Sequence, residues 1–143
     1  MLINVSSISS QLPGCRLASV YSATKAYVSN LSQTLSKEYA SRGVVVQCLS
    51  PGMVDTKLIP ASTKERSRGS VVSPAAVVDI SLGLIGVEDR LNGHWKHEIT
   101  RMFAEWAPRL MDRLLSRRTQ DYMRRTGGDL TTVTLHSDDI FEL

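Results

Sequence analysis

Val44-Val45-Val46-Gln47-Cys48-Leu49-Ser50-Pro51-Gly52 decides how the chain folds. Val44 to Leu49 is β-branched and nearly continuous in apolar character, which predicts a strand covered on both faces, and Pro51-Gly52 ends it. Working upstream, Tyr27, Leu31, Leu35 and Tyr39 recur at intervals of four with Val28 beside them. That period predicts a helix from about Ser19 to Ser41, with Gly43 as its stop. Earlier still, Leu2-Ile3-Asn4-Val5-Ser6 is a short apolar run ending in Ser6, Ser7, Ser9 and Ser10. It reads as a buried strand that gives way to a polar loop closed by Pro13-Gly14. Strand, helix and strand in this order argue an α/β protein with a parallel sheet.

Downstream, Asp55 to Val72 is polar, rich in Lys, Arg and Ser, and without a period. Connections of that length are uncommon unless they work as functional loops or lids. Ser73-Pro74 then offers an N-cap and a first-turn proline for a helix running to roughly Ile85. Arg90–Gly93 reads as a turn, His94–Ile99 as a short strand, and Arg101–Arg125 as helical with a break near Pro108. The expected organisation is one partial catalytic domain over residues 1–126, with a substrate loop at 55–73 and a C-terminal helical segment at 101–126. Residues 127–143 are expected to form a flexible tail. A sheet with only two strong strands has a long unpaired apolar edge, so it is expected to be incomplete.

Bulk composition excludes several classes. A chain of 143 residues with 42% hydrophobic and 22% charged content is ordinary for a globular domain. Its net charge of +3 is far from the concentrated basic load of nucleic-acid binders. Cys15 and Cys48 are too few for a disulfide framework, and His94, His97 and His136 lack metal spacing, so structural or surface roles are expected. No apolar run approaches the roughly 18 residues of a membrane span, and the N-terminus has no charged leader of a signal peptide. A reducing, intracellular setting is the default expectation.

Tyr21 and Lys25 stand four apart at the start of the long helix and so share one face. A phenol is a weak acid–base group at neutral pH, and a neighbouring ammonium favours its phenolate. By spacing alone the pair also suits an ordinary solvated helix face. Context favours chemistry, because functional groups of an α/β sheet gather at the carboxyl ends of its strands. Ser6 and Ser7, the helix start at Tyr21 and the loop Pro51–Thr56 converge on that edge. There a serine hydroxyl could polarise a carbonyl while the tyrosine passes a proton, with hydride coming from a cofactor.

Asn4-Val5-Ser6-Ser7, Tyr21-Ser22-Ala23-Thr24-Lys25-Ala26 and Pro51-Gly52-Met53-Val54-Asp55-Thr56 together resemble the active-site motifs of the short-chain dehydrogenase/reductase family, in family order. Ser36-Lys37-Glu38-Tyr39 with Gly43-Val44-Val45-Val46-Gln47, and Asn92-Gly93-His94-Trp95 with the stretch through Trp106-Ala107-Pro108, are similar to its steroid 17-beta-dehydrogenase and very-long-chain 3-oxoacyl-CoA reductase branch. The likeness runs from about Leu2 to Arg125. It implies the C-terminal half of a Rossmann-like, doubly wound parallel sheet that lacks the N-terminal dinucleotide-binding strands. Tyr21 would be the proton donor, Lys25 would lower its pKa and hold the nicotinamide ribose, and Ser7 would bind the substrate carbonyl. Val54 and Thr56 would contact the nicotinamide end, with Pro51 and Gly52 shaping that turn.

The spacing between Ser7 and Tyr21 is one residue longer than the family's, so Ser9 remains an alternative carbonyl-binding serine. The family's Gly-rich pyrophosphate turn has no counterpart here. The resemblance implies NADP(H), with NAD(H) open, a steroid or long-chain 3-oxoacyl-CoA keto substrate, and the endoplasmic reticulum. It also implies a homodimer through the helix after Tyr21. The arginines of Arg101–Arg125, with Trp106, Leu110, Leu114 and Leu115, suit either a solvated helix face or an anionic membrane surface. The competing functional expectation is an inactive remnant or truncated product acting only through protein contacts.

Overall fold

The structure, a computed structural model, describes residues 1–14, 18–57, 68–115 and 117. Three parallel strands lie in the order β1 (Leu2–Val5), β2 (Val46–Leu49) and β3 (Arg90–Leu91). Leu2 pairs with Val46 and Val5 with Leu49, while Cys48 pairs with Arg90 and Leu49 with Leu91. Helix α1 (Ser19–Tyr39) connects the first two strands and α2 (Pro74–Gly83) the second pair; α3 (Trp95–Trp106) follows β3. This is a three-stranded part of a Rossmann-like sheet.

Successive strand residues point to opposite faces, and the contacts show what meets each. Asn4 of β1 meets Ser32 of α1, and its register partner Cys48 is completely buried. On the other face, Gln47 donates to the carbonyls of Leu84 (3.0 Å) and Glu88 (2.9 Å) just after α2. One buried amide thus pins the return loop to the central strand, so the polar break in the apolar run is satisfied rather than costly. α1 on one side and the loop after α2 on the other therefore meet opposite faces of β2. Val46, Gln47 and Cys48 of that strand are buried as the sequence predicts, while Val44 and Val45 lie before the strand and are exposed.

β1 departs from the buried strand expected of it, with Val5 54% and Leu2 45% exposed. It is an edge strand, and the loop after α2 meets the sheet at Gln47 of β2 rather than at Ile3 and Val5. Helix α1 has its predicted length and gives way to a short 3-10 turn ending at Gly43, with φ 69°. Its apolar stripe is turned outward, however, with Tyr27 66% and Leu31 40% exposed. The buried positions are Ser29 and Ser32. Small side chains let the helix lie close to the strands, and Ser32 satisfies itself on the Val28 carbonyl at 2.6 Å.

Two predicted elements after α2 are corrected. Arg90–Leu91 is a strand rather than a turn, and Trp95–Trp106 is a helix where a short strand is predicted over His94–Ile99. Local capping overrides the strand-like composition there. His94 Nδ1 accepts from the Lys96 amide at 3.1 Å, and Glu98 sits in the first turn. Gly93 makes the preceding bend at φ 71°, where a Cβ would lie 2.7 Å from Val77 Cγ1 and 3.2 Å from Leu49 Cδ1. Beyond Trp106 the chain breaks at Ala107 and resumes as helix over 108–115, as predicted at Pro108. Ser73 caps α2 on the Ala76 amide with Pro74 in its first turn, also as predicted. The expected tail at 127–143 lies outside the described residues, as do residues 58–67 of the loop expected to bind substrate.

Glu98 anchors α3 to the rest of the fold. It accepts from Asn92 Nδ2 and pairs with Arg101, which also pairs with Glu105. The Arg101 hydrogen bond, against the opposing effect of partial burial and with help from Asn92, holds Glu98 below its ordinary 4.5. Loss of hydration, then His97 and Lys96, hold His94 below its ordinary 6.5. No helix among the described residues is long and apolar enough to cross a membrane.

Two predictions follow from these anchors. Gly93→Ala should destabilise the chain by about 2–4 kcal/mol, from left-handed strain plus overpacking. Gly43→Ala, where a Cβ would meet nothing within 4 Å, carries only the strain, about 1–2 kcal/mol. Urea unfolding of both variants measures the difference; equal losses would show that the Val77 contact is not tight. Because both depressed groups take up a proton in the unfolded chain first, their stabilisation is complete above pH 6.5. It should weaken below that value as His94 is protonated, and again below 4.5 as Glu98 is. Glu98→Gln should remove only the lower step from the pH dependence of the urea midpoint, a small effect for a partly exposed pair.

Candidate active site

The carboxyl end of β1 delivers the serines. Ser6 is buried and its hydroxyl donates to the Lys25 carbonyl at 2.6 Å. Ser7 caps a 3-10 turn over Ile8–Gln11, its Oγ accepting from the Ser9 amide at 3.2 Å. Acceptance uses a lone pair and leaves the Ser7 hydroxyl proton available to a further acceptor. Ser9 lies within that turn, and its Oγ is buried without a hydrogen-bond partner among the described residues.

Tyr21 and Lys25 occupy the first turns of α1, with Lys25 Nζ 5.7 Å from the centre of the Tyr21 ring. The same ammonium donates to the Val5 carbonyl at 3.3 Å. Both backbone and side chain of Lys25 are therefore tied to β1 beside Ser7. Two ammonium hydrogens remain beyond the Val5 bond. Both side chains are half-buried, so the pair is neither sealed in the core nor free in solvent.

Pro51 and Gly52 leave β2 toward this edge. The Pro51 carbonyl accepts from the amide of Ile8, the residue after Ser7, at 2.9 Å. The Gly52 amide donates to His97 Nδ1 of α3 at 3.1 Å. Val54 then forms a parallel bridge with Val72, framed by Asp55 N–Val72 O (2.8 Å) and Val72 N–Met53 O (3.0 Å). This bridge pins together the two feet of the polar loop that the sequence marks as a lid. Thr56 stands just past the bridge on an exposed bend.

The structure thus brings Ser7, Tyr21 and Lys25 to one edge, with Pro51-Gly52 bonded to the serine turn. Among the described residues no hydrogen bond joins Thr56 to them, and the neighbouring Val54 is the one fixed by pairing. Sequence reading missed the supports. Gln11 Nε2 donates to Asn92 Oδ1 at 2.9 Å, joining the serine turn to the start of α3. His97, set aside as structural, holds the Pro51–Thr56 loop. A capped helix beginning at His94 would place His97 in its first turn; the strand reading of that stretch concealed this.

For a nicotinamide dinucleotide the described residues fit one end. Lys25 has donors to spare, Ser7 has a free hydroxyl proton, and Gln11 Oε1 and Ser22 Oγ are buried without partners among the described residues. No Gly-rich strand-to-helix turn suited to a pyrophosphate occurs among them. Nor do they include a cluster of His, Cys, Asp or Glu able to hold a metal ion.

Comparison with known proteins agrees with this geometry. The sequence model described as short chain dehydrogenase matches residues 1–67. Inactive hydroxysteroid dehydrogenase-like protein 1 of Pongo abelii is 36% identical over 108 residues, covering 75% of this chain and 32% of that protein. The Homo sapiens protein of the same name is 35% identical with the same coverage. Very-long-chain 3-oxoacyl-CoA reductase of Bos taurus is 40% identical over 98 residues, 68% of this chain and 30% of that protein. The chain therefore spans about a third of the length of these relatives. No solved structure matches it. With three family motifs in order and these relatives, the chain belongs to the short-chain dehydrogenase/reductase family, of which it carries a part.

Proposed function

We propose that this chain carries the proton-transfer side of an NADP(H)-dependent carbonyl reductase acting on a keto group of a steroid or a long-chain 3-oxoacyl-CoA. The observation that supports it is the Tyr21–Lys25 pair, held beside Ser7 by the bonds of Lys25 to β1. Bound NADPH would supply the hydride to the carbonyl carbon. Tyr21 gives its phenolic proton to the carbonyl oxygen, so that the ketone becomes an alcohol. Ser7, with its Oγ already oriented by the Ser9 amide, donates a hydrogen bond to the same oxygen. It is preferred to Ser9, whose hydroxyl is enclosed within the turn. Lys25 uses its remaining hydrogens on the nicotinamide ribose and favours the phenolate that Tyr21 becomes. Val54 and Thr56 would face the nicotinamide end, and NAD(H) is the alternative donor.

A second reading has its own support. β1 presents exposed Leu2, Ile3 and Val5 at an edge with no partner among the described residues, and α1 presents Tyr27 and Leu31. Surfaces of this kind seek cover. A catalytically silent protein that acts by pairing along β1, or by dimerising through α1, would use them. The name of the Pongo abelii relative, inactive, belongs to the same picture. Localisation at the endoplasmic reticulum remains part of the first reading. It draws on the 3-oxoacyl-CoA reductase likeness and on Trp95, Ile99, Met102 and Trp106, exposed along α3 beside Lys96 as a face suited to an anionic membrane surface.

Titration with NADPH, followed by oxidation assays with 3-oxoacyl-CoA and ketosteroids, separates the readings. The reductase reading expects stoichiometric binding and a turnover that Tyr21→Phe lowers about 10²–10⁴-fold. Lys25→Met should weaken NADPH binding as well as turnover. Wild-type rates from Tyr21→Phe would remove the tyrosine from the mechanism. Absence of NADPH binding alongside concentration-dependent self-association would favour the contact-only reading.

A further inference from the structure

The peptide group between Pro51 and Gly52 is gripped on both sides. Its carbonyl accepts from Ile8 in the serine turn at 2.9 Å, and its N–H donates to His97 Nδ1 at 3.1 Å. A peptide plane held at both its donor and its acceptor cannot rotate without losing a hydrogen bond. That plane sets the direction in which the chain leaves β2 toward Val54 and Thr56. The ring of His97 also closes one side of Gly52, because a Cβ there would lie 2.6 Å from its Cδ2. Glycine is thus required at 52 by the closeness of the imidazole.

His97 is 3% exposed, and its Nδ1 lies within 3.0 Å of the Asn92 carbonyl as well. One nitrogen can serve only one of these neighbours. Bare, it accepts the Gly52 N–H; protonated, it donates to Asn92 and forces a second hydrogen into the gap facing Gly52. Nε2 is buried with no hydrogen-bond partner among the described residues, so neither tautomer is chosen by a partner on that side. Either neutral tautomer leaves one buried N–H unpaired among the described residues, Nε2–H in one case and Gly52 N–H in the other. The direction of the Gly52 N–H, which points at Nδ1 from 3.1 Å, is the geometry a bare Nδ1 accepts.

We propose that His97 is a positioning residue for the Pro51–Thr56 loop: as the neutral Nε2–H tautomer it holds the Gly52 amide and so fixes the loop that faces the nicotinamide end. That last step rests on the reductase reading, but the hold on Gly52 does not. It also gives α3 a part in the site, through a side chain that touches neither substrate nor cofactor.

The test begins with the wild-type chain. Long-range ¹H–¹⁵N spectra of its histidines should show His97 neutral with the proton on Nε2; a proton on Nδ1 overturns the proposal without any variant. Amide exchange at Gly52 should then be about tenfold faster in His97→Leu, the worth of one hydrogen bond. In His97→Asn, whose Oδ1 restores an acceptor at similar reach, it should return toward the wild-type rate. Equal Gly52 exchange in folded wild-type and His97→Leu chains would also overturn it. NADPH affinity is read in parallel and should follow the same order. The tautomer and exchange results decide the positioning role whether or not NADPH binds, so its failure is separate from failure of the reductase reading.

Discussion

The arrangement depends on how closely α1 lies against β1. Three bonds fix it: Asn4 to Ser32, Ser6 to the Lys25 carbonyl, and Lys25 Nζ to the Val5 carbonyl. Each contributes about 1 kcal/mol net, so together they are a poor substitute for a large apolar interface. What they supply is register. A helix packed through serines could slide or rotate at little cost, and these bonds define one position for Tyr21 and Lys25 relative to Ser7. Polar packing here fixes geometry more than it adds stability.

Much of this was legible in the sequence because the decisive signals are local. The run Val44–Leu49 announces a strand covered on both faces, and Ser73-Pro74 announces a capped helix; both are fixed by backbone chemistry within a few residues. Tyr21, Lys25 and the serine-ended strand could be placed on one edge because parallel α/β topology leaves little choice. The stripe of Tyr27 and Leu31 misled in a different way. Its period correctly gave a helix, but period says nothing about which face is packed when serines can approach a strand more closely than tyrosines. At Arg90–Ile99, apolar and aromatic composition suggested turn and strand. The strand ladder to β2 and the His94 cap, one tertiary and one a side-chain geometry, determine the outcome instead.

The supports of the site come from segments distant in sequence, which explains why they stayed hidden. Gln11 meets Asn92 and Gly52 meets His97, so the start of α3 touches both loops that flank the candidate catalytic pair. Neither contact follows from a motif. Through Ile8 and Pro51 the two loops are also joined to each other. The start of α3 is therefore bonded to the serine turn and to the Pro-Gly turn together, and the His97 ring also packs against Gly52. The site is a closed loop of contacts around Pro51, with α3 outside the reacting groups.

Family membership and catalytic competence rest on different parts of this chain. Membership is carried by the ordered motifs and by relatives of which the chain spans about a third. Under the proposed reductase reading, competence requires a hydride donor seated beside Tyr21, and the described residues include spare donors on Lys25 but no Gly-rich pyrophosphate turn. The apolar side chains exposed on β1 bear on the same point. Leu2, Ile3 and Val5 lie on the edge where a further parallel strand would pair, adjacent to Ser7 at the strand's carboxyl end. Covering that edge would bury apolar surface at about 25 cal/mol per Å² and would also wall the site from solvent beside Lys25. Association along β1 would therefore stabilise the sheet and complete the surroundings of the pair at once. A partner strand, whether from the same polypeptide or another, would border the candidate site as well as extend the sheet.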